Sequence, residues 1–165
     1  MKKILVFLTT MSIFVFACKT TKTAAKANNT SQMPTLAWSV VKAGNMGSSE
    51  TARNIVIKSA TEWQKEWAET NKRFDPAPAA PAVDFGQNWV IGCHIGTRSN
   101  GGYSASIKTV QQLKDEIVVS IAENAPGKNC MNSEVITHPF VYIKVPHFTE
   151  TKVSYKMEKV VKDCN

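Results

Sequence analysis

Tyr103-Ser104-Ala105-Ser106-Ile107-Lys108-Thr109, a connection of hairpin length at Gln111 to Asp115, and Glu116-Ile117-Val118-Val119-Ser120-Ile121-Ala122 decide the fold. Tyr103, Ala105 and Ile107 alternate with Ser104, Ser106 and Lys108, and Ile117, Val119 and Ile121 alternate with Val118 and Ser120. Successive side chains of a strand point to opposite faces, so each stretch shows an apolar side and a more polar one. Two such stretches joined by a short connection read as an antiparallel hairpin.

The same period runs outward in both directions. Val153, Tyr155 and Met157 alternate with Lys152, Ser154, Lys156 and Glu158, and Phe140 to Val145 follows suit. In Trp89 to Ile95, Trp89, Ile91, Cys93 and Ile95 share one face, and Val90, Gly92 and His94 share the other. Leu36 to Lys42 and Asn54 to Ser59 look like short strands separated by a Gly-Asn-Met-Gly-Ser-Ser turn. Alternation of this kind predicts an antiparallel sheet with one buried face.

One helix is predicted, over Ala60 to Asn71. Ser59 and Glu62 have capping-box spacing, in which each side chain satisfies the other's exposed amide. Trp63 and Trp67 stand four apart on one face, while Glu62, Gln64, Lys65, Glu66 and Glu69 cover the rest. A Pro/Ala-rich loop from Asp75 to Pro81 stops it. Tryptophans in such a stripe belong to a core more often than to a ligand cage, and the sheet needs an apolar cover. The expected fold class is therefore α+β: a mainly antiparallel sheet with one packed amphipathic helix.

The first residues have a different character. Met1-Lys2-Lys3 is basic and Ile4 to Ala17 is almost wholly apolar, the layout of a secretory signal. The apolar run is well short of the ~20 residues that cross a bilayer as a helix. Val15-Phe16-Ala17-Cys18 resembles the lipobox of bacterial lipoproteins, with Cys18 as the lipid-bearing first mature residue. Lys19 to Pro34 carries almost no large apolar residue and cannot offset its ordering entropy by burial. The expected organisation is a signal segment at 1–17, an anchor and tether at 18–34, and one globular domain at 35–165. Several basic residues and no acidic cluster follow Cys18, so the domain is expected in the periplasm, with either membrane open as the anchor site.

Of the formal charge of +7, Lys2 and Lys3 supply two, and the other lysines are scattered. No basic run with interleaved aromatics appears, which argues against a nucleic-acid partner. Cys93, Cys130 and Cys164 form no C-x-x-C pair, so zinc-ribbon and thioredoxin chemistry are not suggested. Cys130 lies in a polar loop and Cys164 beside the chain end, where a crosslink is useful because chain ends fray. We expect these two to pair and Cys93 to remain a small core hydrophobe. The rival pairing, Cys93 with Cys130, would need the polar loop to fold over a buried strand face.

Catalytic chemistry has few candidates. His94, His138 and His147 with Cys93 are the residues from which a metal or thiol site could be made, and no H-x-x-x-H or H-E-x-x-H is present. Cys93 and His94 are adjacent on a strand and point to opposite faces. Ser99 and Ser104 are not in a G-x-S-x-G elbow. No cofactor, metal site or catalytic residue is expected; the alternative is a small envelope hydrolase using Cys93 or a histidine.

Five segments together carry a resemblance: Asp84-Phe85; Val90-Ile91-Gly92; Gly96-Thr97-Arg98-Ser99-Asn100-Gly101-Gly102-Tyr103-Ser104; Ala125-Pro126-Gly127; and Thr137-His138-Pro139-Phe140. In order and spacing, from roughly Ile55 to Val145, the chain resembles the PrcB family of protease-complex-subunit-like lipoproteins. The Gly-Gly-Tyr and Thr-x-Pro-Phe segments are the most telling. The resemblance implies a non-enzymatic role, binding and stabilising a partner protease at the cell envelope. Gly96 to Gly102 reads as a tight loop joining two strands with Arg98 and Asn100 at its tip, where binding residues usually sit. Gly101 and Gly102 are suited there because glycine takes positive φ without penalty. The expected partner-binding set is Arg98, Asn100, Gly101, Gly102 and Tyr103, with Pro126 and His138 nearby.

Overall fold

The computed structural model describes residues 34–149 and 152–164. The expected signal segment, Cys18 and nearly all of the expected tether lie outside the described residues. Among the described residues seven strands and one helix follow in order: β1 (Ser39–Gly44), β2 (Ala52–Ile57), α1 (Ala60–Thr70), β3 (Asn88–Ile95), β4 (Ser104–Gln112), β5 (Glu116–Pro126), β6 (Phe140–Pro146) and β7 (Lys152–Lys162). The fold is α+β. Ser59 caps the helix as expected, with Glu62 N donating to Ser59 Oγ at 3.2 Å, but Glu62 Oε2 reaches one residue further back and accepts from Lys58 N at 2.8 Å in place of the Ser59 amide.

The strands form two sheets rather than one. β1-β6-β3-β2 is a four-stranded sheet with every pair antiparallel, and β4-β5-β7 is a three-stranded sheet. β4 and β5 form the antiparallel hairpin, whereas β5 and β7 run parallel. Parallel neighbours need a long crossover. Here the chain leaves the small sheet after β5, contributes β6 to the other sheet, and returns as β7.

Two cores lie on opposite faces of the four-stranded sheet. Ile91, Cys93 and Ile95 of β3 and Val141, Ile143 and Val145 of β6 pack with Ile107, Val110, Ile117, Val119 and Ile121 of the small sheet. On the other face Val90, Phe140 and Tyr142 pack with Ile57, Trp63 and Trp67. This corrects the expectation of one buried face under the helix: the Cys93 face is covered by a second sheet, and α1 covers the Val90 face. Both tryptophans are core residues, 2% and 5% exposed. Their indole N–H groups donate to Pro81 O at 2.8 Å and Pro78 O at 2.7 Å, so the loop after α1 satisfies what the tryptophans bury.

The first strand starts later than its sequence suggests. Leu36 N donates to Val110 O at 2.8 Å, and Gln112 N to Pro34 O at 2.9 Å, so the chain before β1 lies along β4. Leu36 and Trp38 pack on the main core from there.

Gly92 of β3 pairs with Tyr142 of β6, whose ring lies over it. A Cβ on it would lie 2.4 Å from Tyr142 Cε1 and 2.8 Å from Cδ1. Gly92→Ala should therefore displace the buried Tyr142 ring and cost about 1–3 kcal/mol, the usual penalty of overpacking a tight core. Urea denaturation at neutral pH checks this; stability within about 0.5 kcal/mol of wild type would show that the ring yields freely.

Candidate protein-binding surface

The connections that cross between the sheets meet at one end. Residues 96–103 lead from β3 to β4, and residues 127–139 lead from β5 to β6. Gly96 takes φ +77°, the left-handed turn that glycine permits, and an added Cβ would lie 2.9 Å from both Glu50 O and the Ala52 amide nitrogen. Arg98 and Thr137 then exchange backbone hydrogen bonds of 2.8 and 2.9 Å. Gly101 N donates to Ser133 O at 2.9 Å, and Thr137 Oγ1 donates to Asn100 O at 2.9 Å. The first connection is thus no free hairpin; it is laced to the second.

Most of the expected partner-binding residues come together here, though many are engaged within the protein. Arg98 donates from Nε and Nη2 to the two oxygens of Glu123 at 2.9 and 2.8 Å. This fork holds the Glu123 carboxyl below the usual carboxylate range and raises the guanidinium further. The Arg98 guanidinium also lies 5.9 Å from the ring centre of half-buried Tyr103. Asn100 Oδ1 accepts from Gly102 N at 3.0 Å. Neither Gly101 nor Gly102 has a positive φ. Close approach is what they offer instead: an added Cβ would lie 2.2 Å from Ser133 Oγ at 101, which that hydroxyl could relieve by rotating, and at 102 it would lie 2.2 Å from Asn132 Oδ1, 2.7 Å from Asn132 Cγ and 2.8 Å from Pro126 Cγ, a tighter site. His138 is buried, with Nδ1 accepting from Arg73 Nη2 at 3.0 Å beyond the end of α1.

The side chains that this end offers to solvent are others. Met131 is fully exposed at 100%, Ile136 at 65% and Val135 at 47%. All three lie in the 127–139 connection. The sequence signal for them is weak but real: large apolar residues in a turn-rich segment with neither helical nor strand period. The connection is fixed at its start by a disulfide between Cys130 and Cys164, with Cα atoms 5.0 Å apart, and by Gly127 N donating to Lys162 O at 2.8 Å. Cys93 is free and buried.

A polar cluster lies between α1 and the four-stranded sheet. Glu66 Oε1 accepts from Arg53 Nη2 at 2.5 Å and from Tyr142 OH at 2.7 Å, with His94 Nε2 at 3.2 Å and Thr70 Oγ1 at 3.3 Å. Arg53 Nη1 adds a second bond, to Glu66 Oε2, at 3.1 Å. Burial alone would raise the Glu66 carboxyl, but the donors from His94, Arg53 and Tyr142 outweigh it and bring it down to about 2. Burial pushes the Tyr142 phenol well above its ordinary value. Sequence reading placed Glu66 on the outer side of the helix. Trp63, Glu66, Trp67 and Thr70 nevertheless follow the i, i+3, i+4, i+7 spacing of an inward stripe, and that spacing was the signal.

Other chemistry is sparse. Burial pushes the Cys93 thiol up to about 12, so little thiolate exists near neutral pH. Among the described residues no group of three His, Cys, Asp or Glu side chains could hold a metal ion. His147 Nε2 lies 3.2 Å from Phe85 O, and its ring lies 5.2 Å from that of Trp89, tilted by 36°.

The Glu66 cluster has a pH signature. Its folded-state carboxyl titrates near about 2 against an ordinary 4.5, so its stabilisation is complete above the ordinary value and drains away as pH falls toward the lower one. Glu66→Gln should cost about 3 kcal/mol at pH 7, because Arg53 and the Tyr142 hydroxyl lose their charged acceptor. It should also flatten the acid limb of the stability curve below about pH 4.5. Denaturant midpoints of both proteins from acid to neutral pH test both statements; parallel curves would place the acid sensitivity elsewhere.

Residues 89–146 match the family described as PrcB C-terminal. They span β3 to β6 and so contain both crossing connections and the exposed apolar residues. Comparison with curated proteins and with solved structures returns no match. Over residues 89–146, about a third of its length, the chain is similar to this family.

Proposed function

We propose that this chain is a lipid-anchored envelope protein whose domain is a non-enzymatic binding module for another envelope protein. A protease is the partner class to which the family points. One observation carries the reading: Met131, Val135 and Ile136 stand exposed on a connection fixed by a disulfide and by backbone hydrogen bonds. Large apolar side chains that stay in water at a held position are what a protein interface uses as anchors. Arg98, Asn100, Tyr103 and Pro126 lie beside them as rim and support, since Arg98 is occupied by Glu123 and Gly102 packs on Pro126.

The rival reading, a hydrolase built on Cys93 or a histidine, has little to stand on. A nucleophilic thiol needs a base within hydrogen-bond reach and some access for substrate. Cys93 is 0% exposed with a raised pKa. Lipidation is carried by the sequence alone: the basic start, the apolar run and the Ala17-Cys18 junction.

Met131→Ser with Ile136→Ser should lower capture of the envelope partner about tenfold or more while leaving the melting temperature nearly unchanged, because Met131 is fully and Ile136 mostly exposed. Affinity capture from envelope extracts with mass spectrometry reads the first effect and calorimetry the second. Arg98→Ala is a poorer probe, since it also breaks the fork to Glu123 and should lower stability. In the same strain Cys18→Ala should end incorporation of labelled fatty acid. Undiminished capture by the double variant would move the interface off this end, and labelled Cys18→Ala would remove the anchor.

A further inference from the structure

We propose a second binding site, independent of the connection surface: the outer edge of β2 and the adjoining groove along α1 receive an extended peptide segment of a partner protein as an added strand. The segment carries apolar side chains at alternate positions and one carboxylate.

The four sheet edges are not alike. Exposed edges invite pairing with other chains, and proteins blunt them with bulges, lysines, prolines or covering segments. β1 has a register shift between Val40 and Lys42. β4 has one between Ile107 and Thr109 and is overlaid by the chain at Pro34 to Leu36. β7 bears Lys152, Lys156, Lys159 and Lys162. β2 pairs with β3 without any shift from Ala52 to Ile57 and carries no lysine and no proline. Its charged residue, Arg53, is turned to Glu66. Among the described residues no strand pairs with its outer side.

This unprotected edge opens on a groove of about 830 Å³ between β2 and α1. Partly exposed Ile55 and Val56 line the strand side, with buried Ile57 beneath them, and Ala68 lines the helix side. An added strand would satisfy the edge backbone and direct every second side chain into this groove, the usual division between affinity and specificity in strand addition. The helix charges on the groove are mostly spoken for: Glu69 pairs with Lys72, Glu62 caps the helix, and Glu66 is held in its cluster. Lys65 has no ion pair among the described residues, so an acid on the incoming segment complements it.

Two other occupants fit worse. A second copy pairing β2 with β2 would bring to the groove only the Arg53, Ile55 and Ile57 side chains of its own α1 face. Those are already committed, Arg53 to Glu66 and Ile57 at 0% exposure. The chain's own Lys19 to Pro34 is lysine-bearing, has no acid and has almost no large apolar residue, the opposite of what Lys65 and the groove ask for.

The test uses the full chain and fluorescein-labelled, end-capped seven-residue peptides. Val or Ile fills the odd positions, Thr the even ones, and Glu replaces each odd position in turn. Fluorescence anisotropy should show saturable binding at roughly micromolar to 100 micromolar concentration, strongest for one Glu placement. Ala68→Trp fills the groove from an exposed helix position and should weaken binding about tenfold. Lys65→Glu should remove the preference for the Glu-bearing peptides, and N-methylating the amides along one edge of the best peptide should abolish its binding. Met131→Ser with Ile136→Ser should change nothing here, so failure of this site and failure of the connection surface are distinguishable. A photo-reactive residue at position 68 should crosslink to the peptide. No binding below about 1 mM, equal binding by Ala68→Trp, or full binding of the N-methylated peptide would overturn the proposal. So would crosslinking at position 68 to a second copy or to residues 19–33 in place of the peptide.

Discussion

Because β3 is buried on both faces, two unlike layers have to be held against one strand, and the remaining architecture follows from that demand. Its odd-numbered side chains Ile91, Cys93 and Ile95 enter the core shared with the small sheet. Val90, Gly92 and His94 turn to the helix layer and are equally hidden. An apolar strand can be covered by anything apolar, but His94 cannot. It needs polar partners in the dry layer, and Glu66 and Tyr142 supply them to Nε2 at 3.2 and 3.0 Å, while Nδ1 is buried without a partner. Glu66 in turn needs cations or donors, which places Arg53 of β2 and Thr70 of α1 around it. The helix is therefore joined to the sheet by directional bonds as well as by tryptophan burial. Such bonds specify one seating of α1 where a purely apolar contact would tolerate several.

What could be read in the sequence was local. The capping residue, the hairpin and the strand periods all depend on neighbours in the chain, and each is present, though β1 begins three residues later and β5 and β7 run four residues further than expected. What escaped depends on partners far away. Trp89 to Ile95 is nearly continuous in apolar residues, the mark of a strand buried twice. Sorting its side chains into two faces conceals that mark once one face is assigned to solvent. The return of β7 beside β5 escaped for another reason. Period two fixes which way Val153 and Tyr155 face, but not which neighbour the strand chooses or in which direction. Glu66 was misplaced because its charge was weighed above its helical phase. Gly101 and Gly102 were expected for their backbone freedom, whereas neither has a positive φ and Gly102 is where a Cβ would crowd Asn132 and Pro126.

The crossing of the chain between sheets also explains why the candidate surface lies where it does. A sandwich whose strands alternate between sheets must send connections across its open ends. At one end two of these run side by side in opposite directions, from β3 to β4 and from β5 to β6. Their backbones pair at Arg98 and Thr137, and the fork from Arg98 to Glu123 ties the pair down to β5. The disulfide then ties the longer connection to the segment after β7. Every attachment uses backbone, small or polar groups, and none uses Met131, Val135 or Ile136. The large apolar side chains of this connection are thus left over from its own stabilisation. A loop that needed them for folding would bury them; one that holds its shape without them can keep them in water for another molecule.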